Sequence, residues 1–261
     1  MTRIVVADNG KTDYKIIIGV DASPSEKHAA EELRHFLKII SGAEFEIATD
    51  EAEMGDKEIL LGLNKHVRKL GINIDLETLG DEGFVIKTYG DHLVIAGGRL
   101  RGTMYGVYTF LEKYLGCRWF TSKVSRIPRL SRIELEPIDD LETPAFEYRD
   151  VYYTDAFDGD WAARNKVNGA FARLDEKRGG KITYYPFVHS FDMLIPSELY
   201  NEHPEYFPMI DGKRVSGYVQ RCLSNLDVVR LAIERVKQWI KEHPEAKIIS
   251  VSQNDTGKWC Q

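Results

Sequence analysis

Apolar residues in the first half of the chain recur in short runs rich in Ile and Val, a pattern typical of β-strands. The runs are separated by turn signals such as Asp8-Asn9-Gly10 and Gly90-Asp91. They predict strands over residues 3–7, 14–20, 45–48, 58–62, 84–89 and 92–96.

Two longer segments in this half have the apolar spacing of amphipathic helices. Ser23-Pro24-Ser25-Glu26 contains an N-cap, a proline at the first helical position and a capping box, and Gly42 marks the helix end. A second helix is predicted over residues 101–115, with Gly116 after it. Strands and helices in this order predict an α+β sandwich.

The pattern changes between residues 125 and 143, where the chain is polar and repeatedly interrupted by proline. Such a composition favours an extended connector. We therefore expect two domains, residues 1–140 and 141–261, with the boundary near residue 140.

The second part alternates predicted strands and helices, which indicates a parallel α/β arrangement. Strands are expected over residues 146–153, 181–188 and 247–251, and a short helix over residues 161–171. The strongest helical signal follows the Ser224-Asn225 cap and stops at His243-Pro244. Its apolar positions are Leu226, Val229, Ile233, Val236 and Ile240.

The fold class expected from these patterns is α/β: a small α+β sandwich domain, with a mixed sheet and helices, followed by the first half of a (β/α)₈ TIM-type barrel. A complete barrel takes about 250 residues, and the second part is about half that long. We therefore expect a fragment of a longer protein. An open parallel edge would also invite a homo-oligomer, through pairing with a second copy.

Composition and charge exclude several classes of protein. With 35 Lys and Arg, 41 Asp and Glu and a net charge of −6, the 261-residue chain has no basic stripe, so a nucleic acid is not an expected partner. No apolar run approaches the roughly 18 residues of a membrane helix, and no membrane partner is expected. The N-terminus lacks a secretory signal, which favours a cytoplasmic protein unless a signal was removed. Cys117, Cys222 and Cys260 form no Cys-x-x-Cys pair, so reduced thiols and no structural zinc are expected.

Polar side chains at the predicted carboxyl ends of the strands are the candidates for chemistry, because ligands of parallel α/β folds gather there. They are Arg149 on the first strand, His189 and Asp192 after the second, and Asn254 and Asp255 after the third. Trp161 and other aromatic residues lie in the same segments. Polar groups among flat apolar faces are typical of sugar recognition.

Each candidate also has a structural interpretation. Arg149 could form an ion pair with Asp150 or another carboxylate, and His189 could cap backbone groups. Asp255 could belong to an Asx turn, and Trp161 fits a core position better than a sugar platform. These alternatives remain open at this point.

Other cofactor and catalytic motifs do not fit. Residues 97–102, Gly-Gly-Arg-Leu-Arg-Gly, depart from the dinucleotide pattern and follow a hairpin strand, so a tight strand-to-helix turn is the better interpretation. Phosphate-loop, zinc-protease and serine-hydrolase motifs are absent, and the histidines lack metal-ligand spacing. We expect no cofactor and no metal.

Several segments together resemble known carbohydrate-active proteins. Residues 29–33 with Gly42, residues 83–86 and the helix of residues 102–111 resemble the small N-terminal domain of family 67 α-glucuronidases and family 20 β-hexosaminidases. Residues 144–149 resemble the first barrel strand of the family 20 enzymes, whose arginine holds sugar hydroxyls. Over nearly the whole chain the best resemblance is to the bacterial domain of unknown function 4838 family, including Ser252-Gln253-Asn254-Asp255 and the cysteine-containing loop after it.

The resemblance implies a glycoside hydrolase-like protein that acts on a carbohydrate, with a glycan containing glucuronic acid or an N-acetylhexosamine as the expected substrate. Asp255 is the expected catalytic carboxylate; the expected substrate-binding residues are Arg149, His189, Asp192, Asn254 and Trp161. Family 20 enzymes use an Asp-Glu pair, whereas this chain has Asn254-Asp255, so the second carboxylate is expected beyond residue 261 and this fragment alone is expected to be inactive. The alternative is a non-catalytic carbohydrate-binding or scaffold protein on a hydrolase-like fold.

Overall fold

The computed structural model describes residues 3–260 and divides the chain into two compact units, Met1–Lys181 and Ile182–Gln261. Each unit has its own apolar cluster and is described separately below. The predicted domain boundary near residue 140 stays a prediction.

Within residues 3–181, the first unit contains ten strands, five α-helices and two 3₁₀ helices. The strands are β1 Ile4–Asp8, β2 Lys15–Ile18, β3 Glu46–Thr49, β4 Glu58–Leu61, β5 Phe84–Tyr89, β6 His92–Gly97, β7 Arg118–Trp119, β8 Ser125–Arg126, β9 Arg132–Leu135 and β10 Asp139–Glu142. The α-helices are α1 Pro24–Ser41, α2 Lys65–Lys69, α3 Leu76–Leu79, α4 Gly102–Lys113 and α5 Gly159–Arg164, and the 3₁₀ helices are Thr154–Phe157 and Glu176–Arg178.

A mixed six-stranded sheet forms the centre of the first unit, in the order β10-β5-β6-β4-β2-β3. The β2/β3, β2/β4 and β4/β6 pairs are parallel, whereas β5/β6 and β10/β5 are antiparallel. One face packs against α1 and α4 in the main apolar cluster, and the other face buries Ile17, Leu60 and Val94 in a second cluster. The mixed sheet with helices that the sequence predicts is confirmed.

The first helix begins as its sequence predicts. The Ser23 hydroxyl accepts a hydrogen bond from the Glu26 backbone N–H, and the Glu26 carboxylate accepts one from the Ser23 N–H, which is a complete capping box. Gly42 ends the helix with φ of 77°, a left-handed conformation in which a side chain would be strained.

The glycines of residues 97–102 form a tight turn between β6 and α4. A Cβ on Gly97 would lie 2.4 Å from the Gly83 carbonyl oxygen, and one on Gly98 would lie 2.0 Å from the Gly80 carbonyl oxygen. Because backbone fills the space in which side chains would stand, only glycine fits. This is the interpretation that the sequence favoured over a dinucleotide loop.

The predicted connector over residues 125–143 is wrong. Within it, β9 pairs antiparallel with β1, and β10 pairs antiparallel with β5 at the edge of the main sheet. The prolines lie outside these strands, which are only four residues long. Short, charged and proline-flanked strands are typical of sheet edges, and this resemblance to a linker explains the error.

The predicted strand over residues 146–153 is also wrong, because this segment pairs with no other strand. Phe146 is 73% exposed, and the Arg149 backbone N–H donates to the Asn168 side chain at 2.8 Å. The helix predicted over residues 161–171 is α5, which ends earlier. Lys166, just after it, has φ of 59°, a conformation that cannot continue a right-handed helix.

The second unit contains a parallel strand pair with a helix between its strands. Its strands are β11 Tyr184–Tyr185, β12 Met209–Ile210, β13 Lys213–Arg214 and β14 Ile248–Ile249, and its α-helices are α6 Phe191–Leu194 and α7 Leu226–Glu242. The 3₁₀ helices are Ser197–Asn201 and Pro204–Tyr206. The strands β11 and β14 pair in parallel, and β12 and β13 form a hairpin.

The long helix α7 contacts α6 and β14 through a face that only partly overlaps the apolar stripe of its sequence. Val228 and Trp239 are buried in the cluster of the second unit, and Val236 of the stripe packs against it. Leu226, Ile233 and Ile240, also of the predicted stripe, are between 48% and 67% exposed.

The structure is therefore mixed α/β, and one parallel strand-helix-strand unit is formed in residues 182–260. None of the helices within residues 3–260 is both long enough and apolar enough to cross a bilayer.

The contribution of Asp50 to the free energy of unfolding should depend on pH. Its buried carboxylate accepts hydrogen bonds from the backbone N–H groups of Val20 at 2.9 Å and Lys65 at 2.8 Å. Burial raises the pKa of Asp50, but these two hydrogen bonds bring it below its ordinary value.

A lowered pKa in the folded state stabilises the protein above the unfolded-state pKa of about 4, and this contribution is lost as pH falls through the folded-state value. We expect Asp50→Asn to lower the free energy of unfolding by about 1–2 kcal/mol at pH 7. The difference from the wild type should shrink as the pH approaches 3. Urea titrations across this range measure it, with the exposed Asp13→Asn as control; a difference that is constant with pH would contradict the role of the charge.

Candidate functional site

The candidate site of the second unit is organised by a buried arginine, Arg221, whose side chain has no exposed surface. Its guanidinium donates to the carbonyl oxygens of Ile195 at 2.8 Å and Val219 at 2.7 Å, and it lies 4.7 Å over the ring of Phe207. Burial lowers the pKa of Arg221, whereas the adjacent Asp192 raises it. A buried guanidinium requires such a partner, because an unpaired charge in the interior is very costly.

Asp192 is that partner, and it also binds Asn254. One carboxylate oxygen, Oδ1, accepts from Arg221 Nη2 at 2.6 Å and from Asn254 Nδ2 at 2.7 Å. The other oxygen, Oδ2, takes part in none of the hydrogen bonds described for residues 3–260, and the side chain is 36% exposed. One side of the carboxylate is therefore fixed, and the other is available to a ligand.

Asn254 is completely buried beneath this carboxylate. Its amide nitrogen donates to both Asp192 and the Val219 carbonyl oxygen at 2.8 Å, which fixes the orientation of the amide. Its oxygen, Oδ1, has no hydrogen-bond donor within the described structure. Asn254 is therefore held from its nitrogen side and supports the Asp192 carboxylate from within the protein.

Gln220 holds the backbone of the Asn254 loop. Its side-chain amide donates to the carbonyl oxygens of Asn254 at 2.6 Å and Thr256 at 2.7 Å, and its oxygen accepts from the Asn254 N–H at 3.1 Å. The loop after β14 is thus attached to the segment that carries Arg221.

His189 lies at the same end of the two parallel strands. The Phe191 N–H donates to the Ser252 carbonyl oxygen at 3.2 Å, which joins the loops after β11 and β14. His189 is exposed, and its Nδ1 lies 3.0 Å from the Gln253 carbonyl oxygen. A carbonyl can only accept, so Nδ1 carries the hydrogen and Nε2 of a neutral ring is a free acceptor.

Asp255 follows Asn254 on the surface. Its backbone N–H donates to the Tyr218 hydroxyl at 3.0 Å, and the carboxylate makes no hydrogen bond within residues 3–260. The structure therefore brings together four of the six residues that the sequence nominates. Asp192 and Asn254 are in direct contact, His189 lies in the loop after β11, and Asp255 lies in the loop after β14.

Arg149, in the first unit, belongs to a different cluster. It donates to Glu82 at 2.6 Å, to the Lys166 carbonyl oxygen at 2.8 Å and to the Phe146 carbonyl oxygen at 2.6 Å. These contacts use three of its five N–H donors. An ion pair with Asp150 or another carboxylate was one interpretation of Arg149 from the sequence, and the structure shows this ion pair with Glu82.

The carboxylate of Glu82 is the centre of this cluster and is 9% exposed. Besides Arg149, it accepts from Arg101 Nε at 2.6 Å and from Asn168 Nδ2 at 2.7 Å. The carboxylate thus ties residues 146–168 to the end of the main sheet. Neither Glu82 nor Arg221 was predicted, because a charged residue in a loop gives no sequence signal of its burial.

Trp161 lies in α5 of the first unit and is partly buried against the main apolar cluster. Its ring meets that of Tyr153 edge to face, with 6.1 Å between the centroids. This position agrees with the core interpretation, and the use of Trp161 as a sugar platform stays a prediction.

No three His, Cys, Asp or Glu side chains within residues 3–260 converge as metal ligands would.

Two family models match the sequence. Residues 6–110 match the N-terminus of glycosyl hydrolase family 67, so the chain shares its N-terminal domain with a class of glycoside hydrolases. Residues 119–261, more than half of the chain, match the domain of unknown function DUF4838. The chain belongs to the DUF4838 family, as the sequence resemblance indicated.

Solved glycosidases have a similar arrangement at low sequence identity. A family GH115 4-O-methyl-α-glucuronidase with specificity for decorated arabinogalactans is 14% identical, with a TM-score of 0.49 over 99% of this chain and 37% of that one. The GH20 β-N-acetylhexosaminidase of Streptomyces coelicolor A3(2) is also 14% identical, with a TM-score of 0.41 over 96% of this chain and 43% of that one.

This chain therefore spans about two fifths of the length of these solved structures. Their TM-scores are below 0.5, so they assign no activity to it. Among proteins with curated descriptions, no sequence matches significantly.

The Glu82 cluster predicts a large loss of stability on removing one charge. Glu82→Gln would leave the buried Arg101 and the partly buried Arg149 without their shared carboxylate, and we expect the free energy of unfolding to fall by about 3–5 kcal/mol. The control is Glu46→Gln, which removes an exposed ion pair with Lys15 and should cost less than about 1 kcal/mol. Urea denaturation measures both; equal effects of the two substitutions would contradict a central role for Glu82.

Asp192 and Asp255, the two carboxylates of the candidate site, should differ in their contribution to stability. Asp192→Asn leaves the Arg221 guanidinium buried and unpaired, and we expect a loss of roughly 2–3 kcal/mol. Asp255→Asn should leave the unfolding midpoint unchanged, because that carboxylate is exposed and makes no hydrogen bond in the described structure. Thermal melts of both variants test this, and an unchanged midpoint for Asp192→Asn would show that Arg221 does not depend on it.

Proposed function

We propose that this protein is glycoside hydrolase-like and binds a carbohydrate at the strand-end site of its second unit. The site consists of His189, Asp192, Asn254 and Asp255. The observation that carries the proposal is the partly exposed carboxylate of Asp192, which the buried Arg221 and Asn254 hold in place through one of its two oxygens. The family 67 N-terminal domain in the same chain supports it.

The chemistry of the site favours a ligand rich in hydroxyl groups. Asp192 Oδ2 and His189 Nε2 are acceptors, and sugar hydroxyls are donors that can satisfy acceptors at several angles. Hydrogen bonds to the Asp192 carboxylate would be the strongest, since one partner is charged. Arg221 fixes that carboxylate from below, so the site is ordered before the ligand binds.

Each residue has a proposed role. Asp192 would bind hydroxyl groups, with the buried Asn254 orienting its carboxylate, and His189 would accept from a further hydroxyl. Asp255 would serve as the acid or as a carboxylate that orients the substrate, since an arginine does not engage it. In the first unit, Arg149 retains two N–H donors, which suit the acceptor oxygens of a sugar.

The wider architecture and the substrate are part of the proposal. The parallel β11/β14 pair with its helix fits the opening of a (β/α)₈ barrel. A glycan that contains glucuronic acid or an N-acetylhexosamine is the proposed substrate. Of these, the acceptor-rich site fits the neutral N-acetylhexosamine better, because Asp192 and Asp255 would repel a uronate carboxylate.

A second function, carbohydrate binding without catalysis, is favoured by the composition of the site. The loops of residues 186–192 and 250–260 contain Asp192 and Asp255 as carboxylates and no Glu. Because Asp192 is engaged by Arg221, Asp255 is the one carboxylate of these two loops that no arginine engages, whereas glycoside hydrolysis generally uses two carboxyl groups.

Sugar binding can be tested with the complete 261-residue chain. Isothermal titration with N-acetylglucosamine, glucose and glucuronic acid should detect binding, with N-acetylglucosamine preferred over glucuronic acid. We expect Asp255→Asn to weaken binding about tenfold or more, because it removes a charged hydrogen-bond partner without affecting stability.

Asp227→Asn is the matched control, because it removes the same charge from an exposed position of α7 outside the site. It should bind like the wild type. If no sugar binds, or if both variants lose affinity equally, the proposed site is wrong. Sugar binding by a full-length form of the protein, without release of nitrophenol from 4-nitrophenyl glycosides, would favour the second function over the first.

A further inference from the structure

Two cysteines that are distant in sequence meet in the second unit. Cys222 is buried and lies between Arg221 and the start of α7, whereas Cys260 is exposed in the loop after β14. The Gln220 N–H donates to the Lys258 carbonyl oxygen at 3.1 Å, which places the two segments side by side. Cys222 and Cys260 each lie two residues beyond this hydrogen bond, on the two neighbouring segments.

The surroundings of Cys222 favour its thiolate. Its Sγ lies 3.3 Å from the Ser224 hydroxyl, and the Arg214 side chain also contacts it. Burial raises the pKa of Cys222, but the hydrogen bonds of Ser224, Cys260 and Arg214 bring it below its ordinary value. A thiolate is the reactive form of cysteine in disulfide chemistry.

Cys117 provides the contrast within the same chain. It is completely buried in the apolar cluster of the first unit, and burial raises its pKa to about 11. A thiol in this environment is inert. Reactivity with a disulfide should therefore distinguish the Cys222 and Cys260 pair from Cys117.

We propose that Cys222 and Cys260 are a thiol–disulfide exchange pair that reacts with low-molecular-weight disulfides. The exposed Cys260 thiolate attacks one sulfur of the small disulfide, forms a mixed disulfide and expels one thiolate. The Cys222 thiolate then attacks the Cys260 sulfur and expels the second thiolate. Two protein thiols are oxidised to one disulfide, and the small disulfide is reduced to two thiols.

The cross-link would fix the loop that carries Asn254 and Asp255. It would join that loop covalently to the segment of Gln220 and Arg221, which already holds it through hydrogen bonds. The inference does not depend on sugar binding, so its test can fail while the proposed function stands, and the reverse also holds.

The experiment uses the complete chain and oxidised glutathione in excess under native conditions. Thiol titration after denaturation, intact mass and peptide mapping are the readouts. We expect two of the three thiols to disappear, no glutathione to be retained, and a peptide containing the Cys222–Cys260 cross-link. The melting temperature should rise by several degrees, because the cross-link restricts the unfolded chain.

The single variants test the order of the two steps. Cys222→Ser should trap glutathione on Cys260 as a stable mixed disulfide, and Cys260→Ser should react at least about tenfold more slowly, since the remaining Cys222 is buried. A wild-type chain that keeps glutathione on Cys260 while Cys222 stays free would overturn the proposal. Cross-links between two chains, or modification of Cys117 at the same rate, would overturn it as well.

Discussion

The buried guanidinium of Arg221 is the constraint on which the second unit depends. A charge with no exposed surface must be neutralised and its donors must be satisfied, and Asp192 together with the carbonyl oxygens of Ile195 and Val219 does this. Because Asp192 is thereby fixed on one side, its other oxygen faces outward in a defined position. Asn254, bound to the same carboxylate oxygen, places its own unsatisfied acceptor beneath it. The electrostatic requirement of the interior thus holds the partly exposed Asp192 carboxylate in place at the strand ends.

The first unit also contains a buried charge that hydrogen-bonded partners neutralise, but this charge is negative. There the buried charge is the carboxylate of Glu82, and two arginines and one asparagine converge on it from separate segments of the chain. The local packing is equally demanding, because the glycines of residues 97–102 leave room for backbone alone. Arg149 therefore has a structural role in this unit, and its two remaining donors are the part that could serve a ligand.

Much of the first unit could be predicted from local sequence signals. The capping box of Ser23 and Glu26 and the hairpin at Gly90 are encoded by neighbouring residues, and the structure confirms them. The errors concern long-range pairing: β9 and β10 read as a linker because their partners are distant in sequence. In the site, Asp192 and Asn254 were predicted from their places after strands. Arg221 and Glu82 were missed, since burial of a charge is decided by segments that come together only in the fold.

Chemical-shift mapping is the most direct test of the central claim, that the strand ends of the second unit form a carbohydrate site prepared by Arg221. The labelled chain would be titrated with N-acetylglucosamine while its backbone and side-chain amide signals are followed. We expect the largest changes in residues 189–192 and 252–256, including the side-chain amide of Asn254. The claim would be contradicted by chemical-shift changes confined to the first unit. It would also be contradicted if no signal moved at any sugar concentration.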